Sequence, residues 1–172
     1  MRVMNFDFLL MQKVKNGDHE AAERFIKKYY SAIFQYCFLH IHNQSDAEDL
    51  TQDTFLHFFE SLKAYNDCGK IRNYLYCIAG NSIKNYYKRK KDILMDELPE
   101  MQDCCMDNIE LRMDIEKAVA CLPDELKEVT ILFFFQGLKQ KEIAELLNIK
   151  LSLVKYRIGR AKHILSETFG GD

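Results

Sequence analysis

The segment Ile143–Arg160 places the tightest constraint on the fold, because it predicts two short helices around a tight turn. Apolar residues at helical spacing mark the first helix, namely Ile143, Ala144, Leu146 and Leu147. Asn148 tolerates the left-handed backbone conformation that ends a helix. The second helix opens beside Ser152, and its apolar residues recur at steps of four, three and four, at Val154, Ile158, Ala161 and Leu165. Residues with that spacing share one face, which we expect to be buried.

The opposite face of this second helix is predicted to be polar and basic. It carries Ser152, Lys155, Tyr156, Gly159, Arg160 and His163. Between Lys150 and Ser166 there are five Lys or Arg residues and no acidic residue. A helix that is buried on one side, basic on the other and preceded by a helix at a tight turn suits the DNA major groove. A solvated amphipathic helix is the alternative that helical spacing alone would favour.

Composition indicates an all-α fold. The chain has 172 residues, of which 48% are hydrophobic, with two prolines and seven glycines. Helical periodicity is found almost everywhere, and strict apolar and polar alternation is nearly absent. The apolar run Phe8–Met11 is too short for a signal peptide or a membrane span. We therefore expect a cytoplasmic protein without membrane insertion.

Charge divides the chain into three parts. Residues 1–91 hold fourteen basic and ten acidic side chains, residues 92–110 hold seven acidic and no basic ones, and residues 111–172 hold ten basic and nine acidic ones. The segment 92–108 lacks periodicity and contains Pro99. These features predict two small helical domains, residues 1–91 and 109–172, joined by a flexible acidic linker at 92–108. Local patches, and not the net charge of −2, then decide the partner.

Capping and turn residues predict the helix limits. In the first domain the helices are expected at about 5–15, 18–42, 45–63 and 70–91, with Asp18 as a cap, a capping box at Ser45–Glu48 and a turn at Asn66–Gly69. In the second domain a helix is expected at about 109–120. Another starts at Leu122–Glu125, with Pro123 in its first turn, and ends at Gly137. Its apolar residues are Val129, Leu132, Phe133 and Phe135.

The helix predicted at about 70–91 is a second basic segment. It contains seven Lys or Arg residues and no acidic residue, with Tyr74, Tyr76, Tyr86 and Tyr87 interleaved. Basic side chains neutralise phosphates, and aromatic rings give unstacked bases a surface to stack on. The alternative is a core helix whose basic end, Lys88–Lys91, suits the helix dipole. A second basic helix in one chain favours nucleic acid.

The six cysteines do not predict a metal site. They are Cys37, Cys68, Cys77, Cys104, Cys105 and Cys121, with no C-x-x-C pair and no His at metal-ligand spacing. Free buried thiols in a reducing compartment are expected, and a redox role for the adjacent Cys104 and Cys105 stays open. A cysteine- or metal-dependent enzyme built on these residues or on His40 and His42 is disfavoured, so we expect no catalytic residue, no metal and no cofactor.

Three segments in order resemble one family. DAEDLTQDTFLHFFESL at Asp46–Leu62, IRNYLYCIAGNSIKNYYKRKK at Ile71–Lys91, and the stretch Leu122–Leu165 resemble the extracytoplasmic-function, or group four, sigma factors of bacterial RNA polymerase. The resemblance covers nearly the whole chain. It implies a polymerase-binding helix and a promoter-melting, minus-ten-recognising helix in region two. It also implies a region four that binds the polymerase flap and recognises the minus-thirty-five element.

The resemblance implies three sets of site residues. The polymerase-binding set, expected to dock on the clamp helices, is Asp46, Glu48, Asp49, Gln52 and Asp53. The set for the downstream promoter element, within a region from Asp67 to Lys91, is Lys70, Arg72, Tyr74, Asn81, Lys84, Asn85, Lys88 and Arg89. The set for the upstream element is Lys150, Ser152, Lys155, Tyr156, Arg157, Arg160 and Lys162. Of the last set, Lys155, Tyr156 and Arg160 are expected at base edges, and Arg157 and Lys162 at phosphates.

The resemblance also implies core RNA polymerase and promoter DNA as partners, control by an anti-sigma factor, and no covalent chemistry. The chain departs from the family pattern at a few positions. Tyr74 stands where Trp is usual and Gly80 where Arg is frequent, and Lys139 and Lys150 replace Ser or Thr caps. Gly159 lies within the recognition helix, at a cost of about 1 kcal/mol in helix propensity. Two other classes remain open, a stand-alone helix-turn-helix regulator and a helical adaptor that binds only proteins.

Overall fold

The computed structural model describes residues 6–62, 64–65, 70–94 and 111–169, and within these ranges the chain is helical without strands. The helices are α1 (Phe6–Lys15), α2 (His19–Ile41), α3 (Gln44–Ser61), α4 (Ile71–Leu94), α5 (Leu111–Ala120), α6 (Asp124–Thr130), α7 (Gln140–Leu147) and α8 (Leu151–Phe169). A π-helical turn, Ile131–Phe135, continues α6. The predicted all-α class is confirmed.

Contacts divide the chain into two compact units, Met1–Tyr86 and Tyr87–Asp172. The predicted linker at 92–108 lies largely outside the described residues, as does the predicted turn at Asn66–Gly69. Helix α4 continues to Leu94, three residues into that predicted linker. The exact domain limits therefore stay a prediction.

Aromatic side chains fill the core of the first unit. Phe25 of α2 is fully buried and stacks on Phe58 of α3, with ring centroids 4.8 Å apart. Tyr36 of α2 packs on Tyr76 of α4 at 5.1 Å, and both are 1% exposed. Rings of this size bury large apolar areas, so these contacts hold α2, α3 and α4 together.

Most helix ends of the first unit follow the sequence signals, with one exception. Gly17 adopts φ 84°, and the Asp18 side chain accepts a hydrogen bond from the Ala21 N–H at 3.0 Å, as predicted. The capping box predicted at Ser45–Glu48 is wrong. Asn43 is the cap of α3, because its extended backbone lets its side chain accept from the Asp46 N–H at 3.0 Å.

The start of α3 thus lies earlier than predicted. Helix α2 ends at Ile41, and the cap residue His42 takes the left-handed conformation with φ 55°. Asn43 follows in an extended conformation, and α3 begins at Gln44. The Glu48 carboxylate, expected to complete the capping box, instead accepts from the Gln44 side-chain amide at 3.0 Å.

The second unit is built around α8. Leu122, Leu126 and Ala161 form a buried cluster, against which Ile164 and Leu165 pack while partly buried. Val154 and Ile158 are also buried, so the predicted apolar stripe of α8 is confirmed.

The segment Asp124–Gly137 departs from regular α-helical winding. Pro123 precedes α6 as its cap residue, one position before the predicted first turn. The Gln136 N–H donates to the Ile131 carbonyl at 3.0 Å, five residues back, which makes a π-turn. This wider turn shifts the buried face, so Ile131 and Leu132 are buried, whereas Phe133 and Phe135 are only partly so. Gly137 ends the segment at φ 64°, as predicted.

The three cysteines among the described residues differ in burial. Cys37 is buried, and burial raises its pKa to about 12. Cys77 and Cys121 are exposed, contrary to the expectation. Cys68, Cys104 and Cys105 lie outside the described residues.

Two kinds of feature are absent from the part of the chain that the structure describes. In that part of the chain, no three His, Cys, Asp or Glu side chains are grouped so that they could hold a metal ion. None of the helices described there is both long and apolar enough to cross a membrane.

Candidate nucleic-acid interface

Helices α7 and α8 are joined by the tight turn that the sequence predicts. Asn148 ends α7 in the left-handed conformation with φ 52°. The Ile149 N–H donates to the Ala144 carbonyl at 3.0 Å, and the Asn148 N–H to the Glu145 carbonyl at 3.3 Å. This pair of bonds satisfies carbonyls at the end of α7. Helix α8 then starts at once, with the Leu153 and Val154 N–H groups bonded to the Lys150 carbonyl.

The start of α7 has an unusual cap. Lys139 occupies the cap position, but an ammonium group has no lone pair with which to accept from the helix. The Glu142 carboxylate instead accepts from the Lys139 N–H at 2.7 Å. Glu142 thus compensates for the missing Ser or Thr and fixes the start of the helix that supports α8.

The polar face predicted for α8 is exposed. Its members are Ser152, Lys155, Tyr156, Gly159, Arg160 and His163, and the neighbouring Lys150 and Lys162 are also exposed. Tyr156 is 66% exposed, the highest value among the exposed large apolar or aromatic side chains of the described chain. Val154, Ile158 and Ala161 hold the helix from the other side. The geometry therefore leaves a basic helical face open to a partner.

Arg157 behaves differently from the rest of the predicted upstream set. Its side chain is 16% exposed, and its guanidinium lies 2.5 Å from the Glu125 carboxylate of α6. Its Nε atom is buried without a hydrogen-bond partner. Arg157 thus braces α8 against α6, a role that competes with a phosphate contact. Lys162, its predicted companion, lies 5.5 Å from the centre of the Phe134 ring.

Helix α4 also has a buried and an exposed side. Leu75, Tyr76, Ala79 and Ile83 are buried. The exposed side carries Asn81, Lys84, Asn85, Lys88 and Arg89 of the predicted downstream set. Arg72 is exposed too, but it lies at the start of the helix on the register of the buried Tyr76, Ala79 and Ile83. Lys70, just before the helix, is exposed as well. Asp67, at the predicted start of this region, lies outside the described residues.

Cys77 lies on this exposed side and was missed by sequence reasoning. It lies four, seven and eleven residues before Asn81, Lys84 and Lys88, a spacing that places all four on one stripe. Partial burial raises the pKa of the Cys77 thiol, and the positive charge of Lys84 opposes that rise. Helical spacing from Lys84 and Lys88 was the signal that could have found it.

The tyrosines of α4 mostly serve packing. Tyr76 is 1% exposed, with the Arg72 guanidinium 5.7 Å from its ring centre, so it cannot offer that ring to a base. Tyr74 is half-buried, stacks on Tyr65 at 4.7 Å and donates its hydroxyl proton to Ser61 at 2.9 Å. The interpretation of interleaved aromatics as stacking surfaces is therefore wrong for Tyr76. In this set only Tyr87, at 48% exposure, is largely open.

Helix α3 presents an acidic face. Asp49, Gln52 and Asp53 are exposed there, whereas Asp46 and Glu48 are half-buried. The Asp46 carboxylate accepts a hydrogen bond from the Tyr86 hydroxyl of α4 at 2.5 Å.

Leu56, 57% exposed, lies one turn after Asp53 on the same face and was missed by sequence reasoning. The signal for it was its position, since it is an apolar residue on the register of Asp49 and Asp53 and outside that of the buried Leu50 and Phe58.

Comparison with known proteins also divides the chain into an N-terminal and a C-terminal part. Residues 25–93 match the Sigma-70 region 2 family, and residues 112–165 match the Sigma-70, region 4 family. The chain is 29% identical over 175 residues to the ECF RNA polymerase sigma factor SigW of Bacillus subtilis, covering 90% of this chain and 92% of that one. It is 30% identical over 148 residues to the RNA polymerase sigma factor SigZ of the same organism, covering 84% of each chain.

Two solved structures share the fold. One is CnrH in complex with the cytosolic domain of CnrY, with a TM-score of 0.75 and 21% identity, covering 95% of this chain and 97% of that one. The other is the sigma factor RpoE in complex with the anti-sigma factor NepR from Bartonella quintana, with a TM-score of 0.76 and 18% identity, covering 87% and 97%. The two matched regions and the identities to SigW and SigZ show that the chain belongs to the extracytoplasmic-function family of RNA polymerase sigma factors.

Proposed function

We propose that this sigma factor binds core RNA polymerase mainly through α3 and directs it to promoters through α4 and α8. The observation that carries the proposal is the pair of exposed basic helical faces, one in the segment that matches Sigma-70 region 2 and one in the segment that matches region 4. Two faces on two different helices suit two separated promoter elements. The protein would act in the cytoplasm as an initiation factor, without covalent chemistry of its own.

The polymerase-binding surface would be the exposed face of α3. Asp49, Gln52 and Asp53 would supply carboxylate and amide groups for the clamp helices. Leu56 would supply an apolar side chain between the exposed Asp53 and Glu60. An apolar anchor inside a polar rim is a common arrangement at protein interfaces. Asp46 and Glu48 would contribute at the edge. The flap contact would belong to the second unit.

The downstream element would be held on the exposed side of α4. Lys84, Lys88 and Arg89 would contact phosphates, as would Lys70 and Arg72 at the start of the helix. Asn81 and Asn85 would form hydrogen bonds with atoms of the DNA strand. Extruding a base from the duplex costs a few kcal/mol. Several phosphate contacts together with the polymerase contacts could offset that cost. Tyr74 would act from its packed position against Tyr65 and not as a free ring.

The upstream element would be recognised by α8 in the major groove. Lys155, Tyr156 and Arg160 project from the face opposite the buried stripe, so they are the residues proposed at base edges. Lys150, Ser152 and Lys162 would hold the flanking phosphates. Arg157 belongs to this set only if DNA draws it away from Glu125.

Control by an anti-sigma factor is part of the proposal. Its support is the pair of complexes among the solved relatives, in which CnrH is bound by the cytosolic domain of CnrY and RpoE by the anti-sigma factor NepR. An anti-sigma factor would act by covering the surfaces that polymerase or promoter DNA needs. Co-purification of the full chain with proteins of its own cell would identify the factor.

The experiment that tests the function is run-off transcription. The purified chain is added to core polymerase with fragments of its own genome, and transcript ends are sequenced. We expect new start sites that require both the chain and core polymerase and that share an upstream and a downstream motif. Specific binding of the chain alone to an operator, without new start sites, would instead identify a stand-alone regulator and contradict the proposal.

A further inference from the structure

Helix α8 has a gap in the middle of its basic face, at Gly159. The residue is exposed, and a Cβ atom built on its backbone would meet no heavy atom within 4 Å. Its backbone does not need glycine, because the glycines with positive φ in the described chain are Gly17 and Gly137. Neither conformation nor packing within the part of the chain that the structure describes therefore explains a glycine at this position.

The absence of a side chain at this position has a cost. Glycine inside a helix lowers stability by about 1 kcal/mol relative to alanine. Gly80 in α4 gives an instructive contrast, because a Cβ there would lie 3.3 Å from the Tyr36 hydroxyl. Close packing of α4 on α2 thus explains Gly80. Gly159 carries the same cost without such a neighbour, which points to a partner outside the chain.

The surroundings of Gly159 indicate which partner that is. Lys155 and Tyr156 lie one turn before it, Arg160 follows it, and His163 lies one turn after it, all exposed. The side chains proposed to recognise bases therefore frame a patch of bare helix backbone. A long side chain reaches a base edge at hydrogen-bond distance more easily when the helix axis can lie deep in the groove.

We infer that Gly159 is the point of closest approach between α8 and the base edges of the upstream element. In this arrangement the major-groove edge packs against the backbone at Gly159, between Tyr156 and Arg160. A side chain at this position would lift the helix and lengthen the hydrogen bonds made by its neighbours. Gly159 would thus determine promoter specificity through its lack of side-chain atoms. The inference rests on the proposed function and adds to it a residue that makes no polar contact.

The test is a size series at position 159, Gly159→Ala and Gly159→Leu, with Gly80→Ala as the matched glycine control. Each variant is assayed with core polymerase on a promoter library in which the upstream element is varied. We expect Gly159→Ala to unfold at the same or a higher temperature than the wild type and to lower output from the preferred promoter about tenfold, or about 1.4 kcal/mol. The leucine variant should lose more, and the upstream preference should change.

Gly80→Ala should alter thermal stability and leave the upstream preference as it is. Equal or higher output from Gly159→Ala would overturn the inference, and so would an even loss that leaves the upstream preference unchanged. A wild-type chain that starts no transcripts with core polymerase would contradict the proposed function instead, so the two failures are distinguishable.

Discussion

Helices α4 and α8 are both basic along one side, yet their sequences predicted their faces with different success. On α8 every residue expected on the open face is exposed, and the aliphatic stripe opposite it is buried or partly so. On α4 the charged residues are exposed as expected, but Tyr76 is buried and Tyr74 is packed. The comparison teaches that the spacing of aliphatic residues indicates which face of a helix is buried, whereas tyrosine can lie on either face.

Tyrosine is ambiguous because it has an apolar ring and a polar tip, and either environment can satisfy it. On α4, Tyr74 and Tyr86 place their rings near the bundle and donate to Ser61 and Asp46. On α8, Tyr156 has its ring in the open at 66% exposure. The most exposed of these tyrosines is therefore on α8, the helix where sequence reasoning stressed charge, and not on α4.

The largest expected effect separates the buried Tyr76 of α4 from the exposed Tyr156 of α8. Tyr76→Ala should lower the free energy of unfolding by about 3–5 kcal/mol, because it removes a fully buried ring. Tyr156→Ala should change that quantity by no more than about 0.5 kcal/mol and should weaken upstream promoter preference. Chemical denaturation and promoter-library transcription measure the two quantities. Similar stability losses in both variants would contradict the contrast between the helices.

The next effect concerns the acidic face of α3. The double variant Asp49→Lys, Asp53→Lys should weaken core polymerase binding by about tenfold or more, because it reverses two charges at the proposed interface. Its unfolding free energy should stay within about 0.5 kcal/mol per site. Glu23→Lys, an exposed acid on α2, is the matched control. Unchanged polymerase affinity in the double variant, measured by titration, would remove this face from the proposal.

A smaller effect distinguishes the two possible roles of Arg157. If it braces α8 through Glu125, then Arg157→Ala and Glu125→Ala should lower stability by a similar amount, about 1 kcal/mol or less because Glu125 is exposed. Neither should then alter the salt dependence of promoter binding. A salt slope reduced by about one in Arg157→Ala alone would identify a phosphate contact.

The smallest effect concerns Cys77. Because burial raises the pKa of its thiol, the reactive thiolate forms only at a higher pH than for an ordinary cysteine. We expect slow alkylation at neutral pH that speeds up as the pH rises. Promoter DNA bound together with core polymerase should protect Cys77 from alkylation, because Cys77 lies on the same stripe of α4 as Lys84 and Lys88. Cys121 is not on α4, so DNA bound to α4 should not protect it. Equal protection of both thiols would argue against a DNA strand on α4.

Sequence patterns predicted features that depend on local chemistry. The turn at Asn148, the cap at Asp18 and the buried stripe of α8 needed only backbone preference and helical spacing. Features that depend on a distant partner were missed. The π-turn at Ile131–Phe135 was missed, because an unbroken apolar run does not distinguish π-helical from α-helical winding.

The candidate site shows the same contrast between features that local spacing predicts and features that depend on a distant residue. Exposure of Lys155 and Arg160 follows from the spacing of their apolar neighbours, so it could be predicted. The pairing of Arg157 with Glu125, and of Asp46 with Tyr86, joins residues far apart in sequence. Spacing along one helix cannot indicate such pairs, because it says nothing about which helix lies opposite.

The most direct test of the account compares Arg160→Ala with Lys88→Ala and Arg89→Ala on one promoter library, each in complex with core polymerase. A good base contact gives about 1–3 kcal/mol of discrimination, so Arg160→Ala should relax the upstream preference and leave the downstream preference unchanged. The α4 variants should weaken binding evenly across sequences and reduce the salt slope by about one each. An even loss for every upstream sequence in Arg160→Ala would contradict base recognition by the exposed face of α8.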